Sequence, residues 1–133
     1  MDGRVSALVV TGGVDHSVMQ AFLAETMIRF PDRYCIMFLD GAGAHIAHDL
    51  TVPRNMHLEL LPPHSPELNP VEPLWDYVRE HYFGNRVFST IAQVSSRLGE
   101  AFRDLDTNHD LVQSIAGFDW IMAAIKADKL TAK

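Results

Sequence analysis

Residues 60–75 read Leu60-Leu61-Pro62-Pro63-His64-Ser65-Pro66-Glu67-Leu68-Asn69-Pro70-Val71-Glu72-Pro73-Leu74-Trp75. Prolines 62, 63, 66 and 70 each fix their own φ and bias the preceding residue towards extended backbone. The chain therefore leaves an apolar strand, crosses a stiff non-helical bridge and enters a helix at a nearly fixed angle. Asn69 suits an N-cap, Pro70 the first helical position, and Glu72 the third, where a capping-box carboxylate belongs. Val71, Leu74, Trp75, Val78 and Tyr82 then recur at helical spacing and predict one buried face. Glu72, Asp76, Arg79, Glu80 and Phe83 fall on another side. On spacing alone, Glu72 is an ordinary capping glutamate at the mouth of that helix.

Working outward, Met56-His57-Leu58-Glu59-Leu60-Leu61 alternates, which predicts a strand with one buried face feeding the bridge. Tyr34-Cys35-Ile36-Met37-Phe38-Leu39 is apolar without alternation, as in a strand buried on both faces of an α/β sheet. It stops at Asp40, before Gly41-Ala42-Gly43-Ala44-His45. An acidic residue closing a buried parallel strand, with a glycine-rich turn after it, stands where open α/β sheets place ligands. Alone, Asp40-Gly41 is equally a turn-forming pair. Residues 4–10 predict a short strand stopped by Gly12-Gly13. Ser17 with Gln20 reads as a capping box for a helix carrying Met19, Phe22, Leu23 and Met27 inward. Beyond the bridge helix, Gly84-Asn85 breaks the chain, and Ser89 or Thr90 caps a helix with Ile91, Val94, Leu98, Ala101, Phe102 and Leu105 inward. Asn108 starts another helix, which Gly117 interrupts.

At 133 residues and 47% hydrophobic content, the chain is expected to form one domain, residues 1–133, with a real core. The single cysteine, Cys35, excludes an internal disulfide and suits a reducing cytoplasm. No charged-then-apolar leader and no run of eighteen apolar residues is present, so secretion and membrane insertion are not expected. A net charge of −6 argues against a free-standing duplex-binding module, which would carry a basic stripe. Arg79, Arg86, Arg97 and Arg103 are too scattered to make one and read as a solvated face.

The run Leu61-Pro62-Pro63-His64-Ser65-Pro66-Glu67-Leu68-Asn69-Pro70-Val71-Glu72-Pro73-Leu74-Trp75 resembles the signature of the DDE endonuclease domain of mariner-like insertion-sequence transposases. Phe38-Leu39-Asp40-Gly41-Ala42-Gly43-Ala44-His45 looks like that family's second-aspartate segment, and 72 − 40 − 1 = 31 residues separate the two carboxylates, near the family spacing. The resemblance covers about residues 8–122 and implies a ribonuclease-H-like, integrase-type α/β fold. It also implies that Asp40 and Glu72 are catalytic metal ligands for Mg²⁺ or Mn²⁺, with His45 and Asn69 in possible supporting roles. The implied chemistry is phosphoryl transfer on DNA by two ions, one activating water or a 3′-hydroxyl and the other stabilising the departing oxygen. Glu67 is the rival third carboxylate, but it belongs to the bridge. His45 and His48 have zinc-like spacing without further ligands to complete a set.

The chain departs from the family pattern in one important way. The first catalytic aspartate lies on the family's first, central strand, and neither Asp2 nor Asp15 stands in the matching place. The fold is therefore expected to be truncated at the N-terminus, with that strand missing and no end-recognising helix-turn-helix. His64, where tyrosine is usual, and Ala44, where a bulkier residue often stands, are smaller departures. The expected function is that of a transposase-derived DDE endonuclease fragment, cytoplasmic and nucleoid-associated, acting on transposon-end DNA in the complete protein and inactive alone. Its sheet is expected to be completed in a homo-oligomer or by pairing with a transposase N-terminal part. The alternative is a non-catalytic assembly or regulatory module that pairs with an intact transposase.

Overall fold

A computed structural model describes residues 3–10, 12–40 and 48–123. The elements run α1 (His16–Arg29), β1 (Cys35–Leu39), β2 (Met56–Leu60), a 3₁₀ turn (Pro66–Leu68), α2 (Glu72–Val78) continuing into a π turn (Arg79–Phe83), α3 (Ile91–Thr107) and α4 (His109–Ala116). Residues 119–123 are again helical. Two compact units result: Leu8–Asn69 forms one, and the rest of the chain forms the other. No helix among the described residues is long and apolar enough to cross a membrane.

The first unit holds the sheet. β1 and β2 pair in parallel, Cys35 opposite Met56 through Leu39 opposite Leu60. They are the only strands among the described residues. Arg33 accepts a bond at its carbonyl from Asn55 Nδ2 at 3.1 Å, which helps set where the ladder starts. α1 is tied to the loop before β2 by side chains. Gln20 accepts from Thr51 N at 2.9 Å and donates to Thr51 O at 3.0 Å, and His16 Nε2 lies 2.8 Å from Asp49 O. Leu23, Leu39 and Met56 are the buried apolar residues here, joined by Thr26, whose hydroxyl donates to Phe22 O.

The second unit is helical and closes its own core. Val78 from α2, Ala101 and Leu105 from α3, and Val112 from α4 are buried together, with Val5, Leu74, Tyr77, Tyr82, Phe83, Leu98, Phe102 and Leu111 packed around them. Fully burying a valine or leucine such as Val78 or Leu105 contributes roughly 1.5–3 kcal/mol. Trp75 meets Phe102 edge-on at 5.7 Å between ring centroids. The hydroxyl of Tyr82 donates to Asp104 at 2.7 Å, and Arg97 lies over the Tyr82 ring while its Nε donates to Tyr82 O at 3.0 Å. The π turn is thereby fastened to α3. At Gly3 (φ 68°) a Cβ would sit 2.1 Å from the His109 carbonyl oxygen, so only glycine fits where this segment passes α4.

Several expectations from the sequence are corrected. Residues 4–10 form no strand: a strand exists only where its backbone finds a partner, and none is present among the described residues. Asp15, and not Ser17, caps α1, its carboxylate accepting from Val18 N at 3.0 Å and from Ser17 Oγ at 2.7 Å, while Gln20 is spent on Thr51. Those bonds hold the Asp15 carboxyl below its ordinary pKa. Ile36 is 57% exposed, so β1 is not covered on both faces. The π turn brings Phe83 against the core beside Tyr82, because one extra residue per turn rotates the helix face. Ile91, in the first turn of α3, is exposed beyond the reach of that core. Thr90 is confirmed over Ser89 as the cap of α3, and Asn108 as the cap of α4.

Candidate functional site

Asp40 follows directly on the buried Leu39 and is itself exposed. The ladder seats it. Leu61 N donates to Leu39 O at 2.8 Å, extending the pairing one step past β2. Because the strands are parallel, the carboxyl end of β1, with Asp40, and that of β2, where the proline bridge begins, lie side by side. This is the edge at which open α/β sheets bind ligands.

The bridge then turns twice. His64 adopts a left-handed backbone (φ 58°), a conformation that histidine tolerates better than most residues. Leu68 N donates to Ser65 O at 3.1 Å and Asn69 N to Pro66 O at 3.0 Å, closing the 3₁₀ turn. Glu67 sits exposed within that turn.

Asn69 does not cap α2. It ends the 3₁₀ turn, and the position before the helix belongs to Val71, which has helical dihedrals and no side-chain cap. A helix capped at residue 69 would need the N–H of residue 73 to bond the Asn69 carbonyl, and residue 73 is proline. The first α-helical bond is instead Trp75 N to Val71 O at 3.0 Å. Glu72 thus occupies the first position of α2 instead of the third, exposed, with Pro73 behind it. The proline at 73 was the readable signal for this shift.

Asp40 belongs to the first compact unit and Glu72 to the second, and the structure defines each carboxylate within its own unit. His45 lies outside the described residues. His48 is exposed and lines an open cavity of about 480 Å³ on the sheet with Leu39, Val52, Met56, His57, Leu58 and Leu60. His57 Nε2 is 3.0 Å from Glu59 Oε2 on the exposed side of β2. Among the described residues, no three His, Cys, Asp or Glu side chains are gathered as a metal-holding group. Asp40 and Glu72 are exposed residues bearing carboxylates, the donor type that a hard cation takes.

Comparison with known proteins agrees with the motif reading. The family described as DDE superfamily endonuclease matches residues 1–95, leaving part of α3 and all of α4 beyond the match. A protein from Sinorhizobium fredii (strain NBRC 101917 / NGR234), "Uncharacterized protein y4pE/y4sA", is 36% identical over 107 residues, covering 80% of this chain and 79% of that protein. No solved structure matches. With its two acidic segments, its parallel strands and this match over most of its length, the chain belongs to the DDE superfamily endonuclease family.

Proposed function

We propose that this chain is the transposase-derived part of a metal-dependent DNA nuclease, with Asp40 and Glu72 as ligands for Mg²⁺ or Mn²⁺. The observation that carries the reading is the exposed Asp40 at the carboxyl end of a parallel strand in a chain of this family. When bound, such ions activate water or a 3′-hydroxyl and stabilise the departing oxygen. The chain's own part is positional. The β1–β2 ladder fixes Asp40, and the proline bridge limits how the backbone can present Glu72. In the complete protein the substrate is transposon-end DNA and the outcome is cleavage and strand transfer at the nucleoid.

Two carboxylates are an incomplete ligand set for two ions. We do not read Asp15 as the third, because it serves as the cap of α1, its Oδ1 accepting from Val18 N and Ser17 Oγ. In this reading no residue of the chain matches the family's first aspartate, which is either encoded upstream or lost. The chain alone is therefore expected to bind Mn²⁺ weakly and not to cleave. Calorimetric titration with Mn²⁺ tests the first point: weak binding lost in Asp40→Asn supports ligation, and identical heats in the variant sink it. A nuclease assay on transposon-end DNA tests the second, and cleavage by this chain alone that depends on Asp40 overturns it.

The second reading is a non-catalytic assembly or regulatory module that pairs with an intact transposase. The small sheet favours it, because a two-stranded parallel pair, all that the described residues form, is marginal without further strands or cover.

A further inference from the structure

β2 pairs with β1 along one edge and, on its other side, meets no strand among the described residues. The register shows which groups face that side. Cys35 N donates to Asn55 O at 2.9 Å and Leu61 N to Leu39 O at 2.8 Å, so residues 55, 57, 59 and 61 turn their backbone towards β1. Alternate residues of a ladder point the opposite way. The main chains of Met56, Leu58 and Leu60 therefore face outward, and of their N–H groups that of Met56 is already spent on Pro53 O at 3.0 Å. The strand stands open to solvent: Leu60 is 52% exposed, and the side chains of His57 and Glu59 are 55% and 56% exposed.

We propose that a second copy of this chain lays its β2 antiparallel against this one, with the two-fold axis at Leu58. The order of side chains along Met56-His57-Leu58-Glu59-Leu60 makes the strand complementary to itself. With Leu58 opposite the partner's Leu58, Met56 meets the partner's Leu60 and His57 meets the partner's Glu59, in both directions. An imidazole against a carboxylate and apolar groups against each other are favourable cross-strand matches. The two chemistries already meet within one copy, where His57 Nε2 lies 3.0 Å from Glu59 Oε2. An axis at Glu59 would instead set that carboxylate against the partner's Glu59, a destabilising like-charge pair. An axis at His57 would carry Leu60 opposite the partner's Arg54, before the start of β2. In the Leu58 register, Leu58 N donates to the partner's Leu58 O and Leu60 N to the partner's Met56 O, each bond made twice by symmetry. The committed Met56 N is not needed. A lone strand pair is marginal, whereas the contact yields one sheet of four strands, two from each copy. The same patch serves both copies, so the assembly closes at two. This contact is independent of both functional readings above.

Sedimentation equilibrium of the full chain over a wide concentration range tests the proposal, with a concentration-dependent dimer expected. His57→Glu places a second carboxylate opposite the partner's Glu59 on both sides of the axis, and is expected to weaken the dimer about tenfold. Adding Glu59→His to that variant restores the match with the roles exchanged, and is expected to return the affinity to within about threefold of the parent. Leu58→Pro removes an outward N–H and no β1–β2 bond, and is expected to weaken the dimer at least about tenfold. His57 and Glu59 are exposed, so the charge variants are expected to keep the far-ultraviolet circular dichroism of the parent, and they decide even where Leu58→Pro unfolds the sheet. A strict monomer overturns the proposal. So does a dimer indifferent to His57→Glu, or a charge-exchanged chain that associates no better than His57→Glu alone.

Discussion

Leu105, by helical spacing, and Ile36, in an unbroken apolar run, are both expected in a core, and they meet opposite fates. Leu105 stands on α3, 1% exposed, among Val78, Ala101 and Val112. Ile36 stands on β1, 57% exposed. The contrast extends to the units around them. The helical unit draws its buried core residues from α2, α3 and α4, though Val71, Trp75, Val87, Ile91 and Trp120 are exposed. The sheet unit buries Leu23, Leu39 and Met56 but exposes Leu8, Val9, Val10, Tyr34, Ile36 and Leu60 along and around its strands. A helix satisfies its backbone internally and needs only a covered face, whereas a strand needs a neighbour on each edge. Among the described residues, then, one unit closes a helical core and the other holds a two-stranded sheet with exposed apolar residues.

The sharpest way to break this comparison is to cut into the closed core. Leu105→Ala is expected to cost about 2–5 kcal/mol in urea unfolding, the range for a large buried side chain removed without collapse of the site. A smaller cost would show that the helical unit is as loosely closed as the sheet. Next, Thr90→Ala removes the oxygen that accepts from Gln93 N at the start of α3, at a cost of about 1 kcal/mol and a fall in Tm of about 4 °C by scanning calorimetry. Tyr82→Phe, which deletes the bond to Asp104, is expected to cost up to about 1 kcal/mol in the same assay. That variant also has a pH signature. Burial, helped by the Asp104 acceptor, pushes the Tyr82 hydroxyl up to about 12. The folded state thus holds this proton more tightly than the unfolded one. Its stabilising contribution is complete below the unfolded value of 10.0 and is lost as pH rises from there through about 12. Denaturation midpoints across that window are expected to slope downward in the parent and to lose this component in the variant. The smallest effect belongs to Ile36→Ser, within about 0.5 kcal/mol in the monomer. A larger loss would mean that β1 is covered after all.

How much of this was legible in the sequence follows the same division. The helices were readable because their apolar spacing and caps are local, and Thr90, Asn108 and the stripe from Leu98 to Leu105 stand as expected. Residues 4–10 were misread because strand composition states only a capacity, and pairing decides whether it is realised. The α2 start was misread by two residues although the deciding fact, a proline at 73, was in plain view. For the candidate site, the sequence located Asp40 at a strand end and Glu72 in a first helical turn, and both stand there. Whether they share an ion is a matter of how distant segments meet, which no local pattern encodes.

The π turn at Arg79–Phe83 carries a consequence for tolerance to insertion and deletion. A π turn is what an α-helix becomes on accommodating one surplus residue. Deleting a single exposed position there, such as Glu80, would let the coil tighten to ordinary pitch at the cost of re-aiming only Tyr82 and Phe83. The same deletion in the middle of α3 would rotate every downstream side chain off its seat. Among related chains, variation in length along these helices is therefore expected to gather at this one loosened coil.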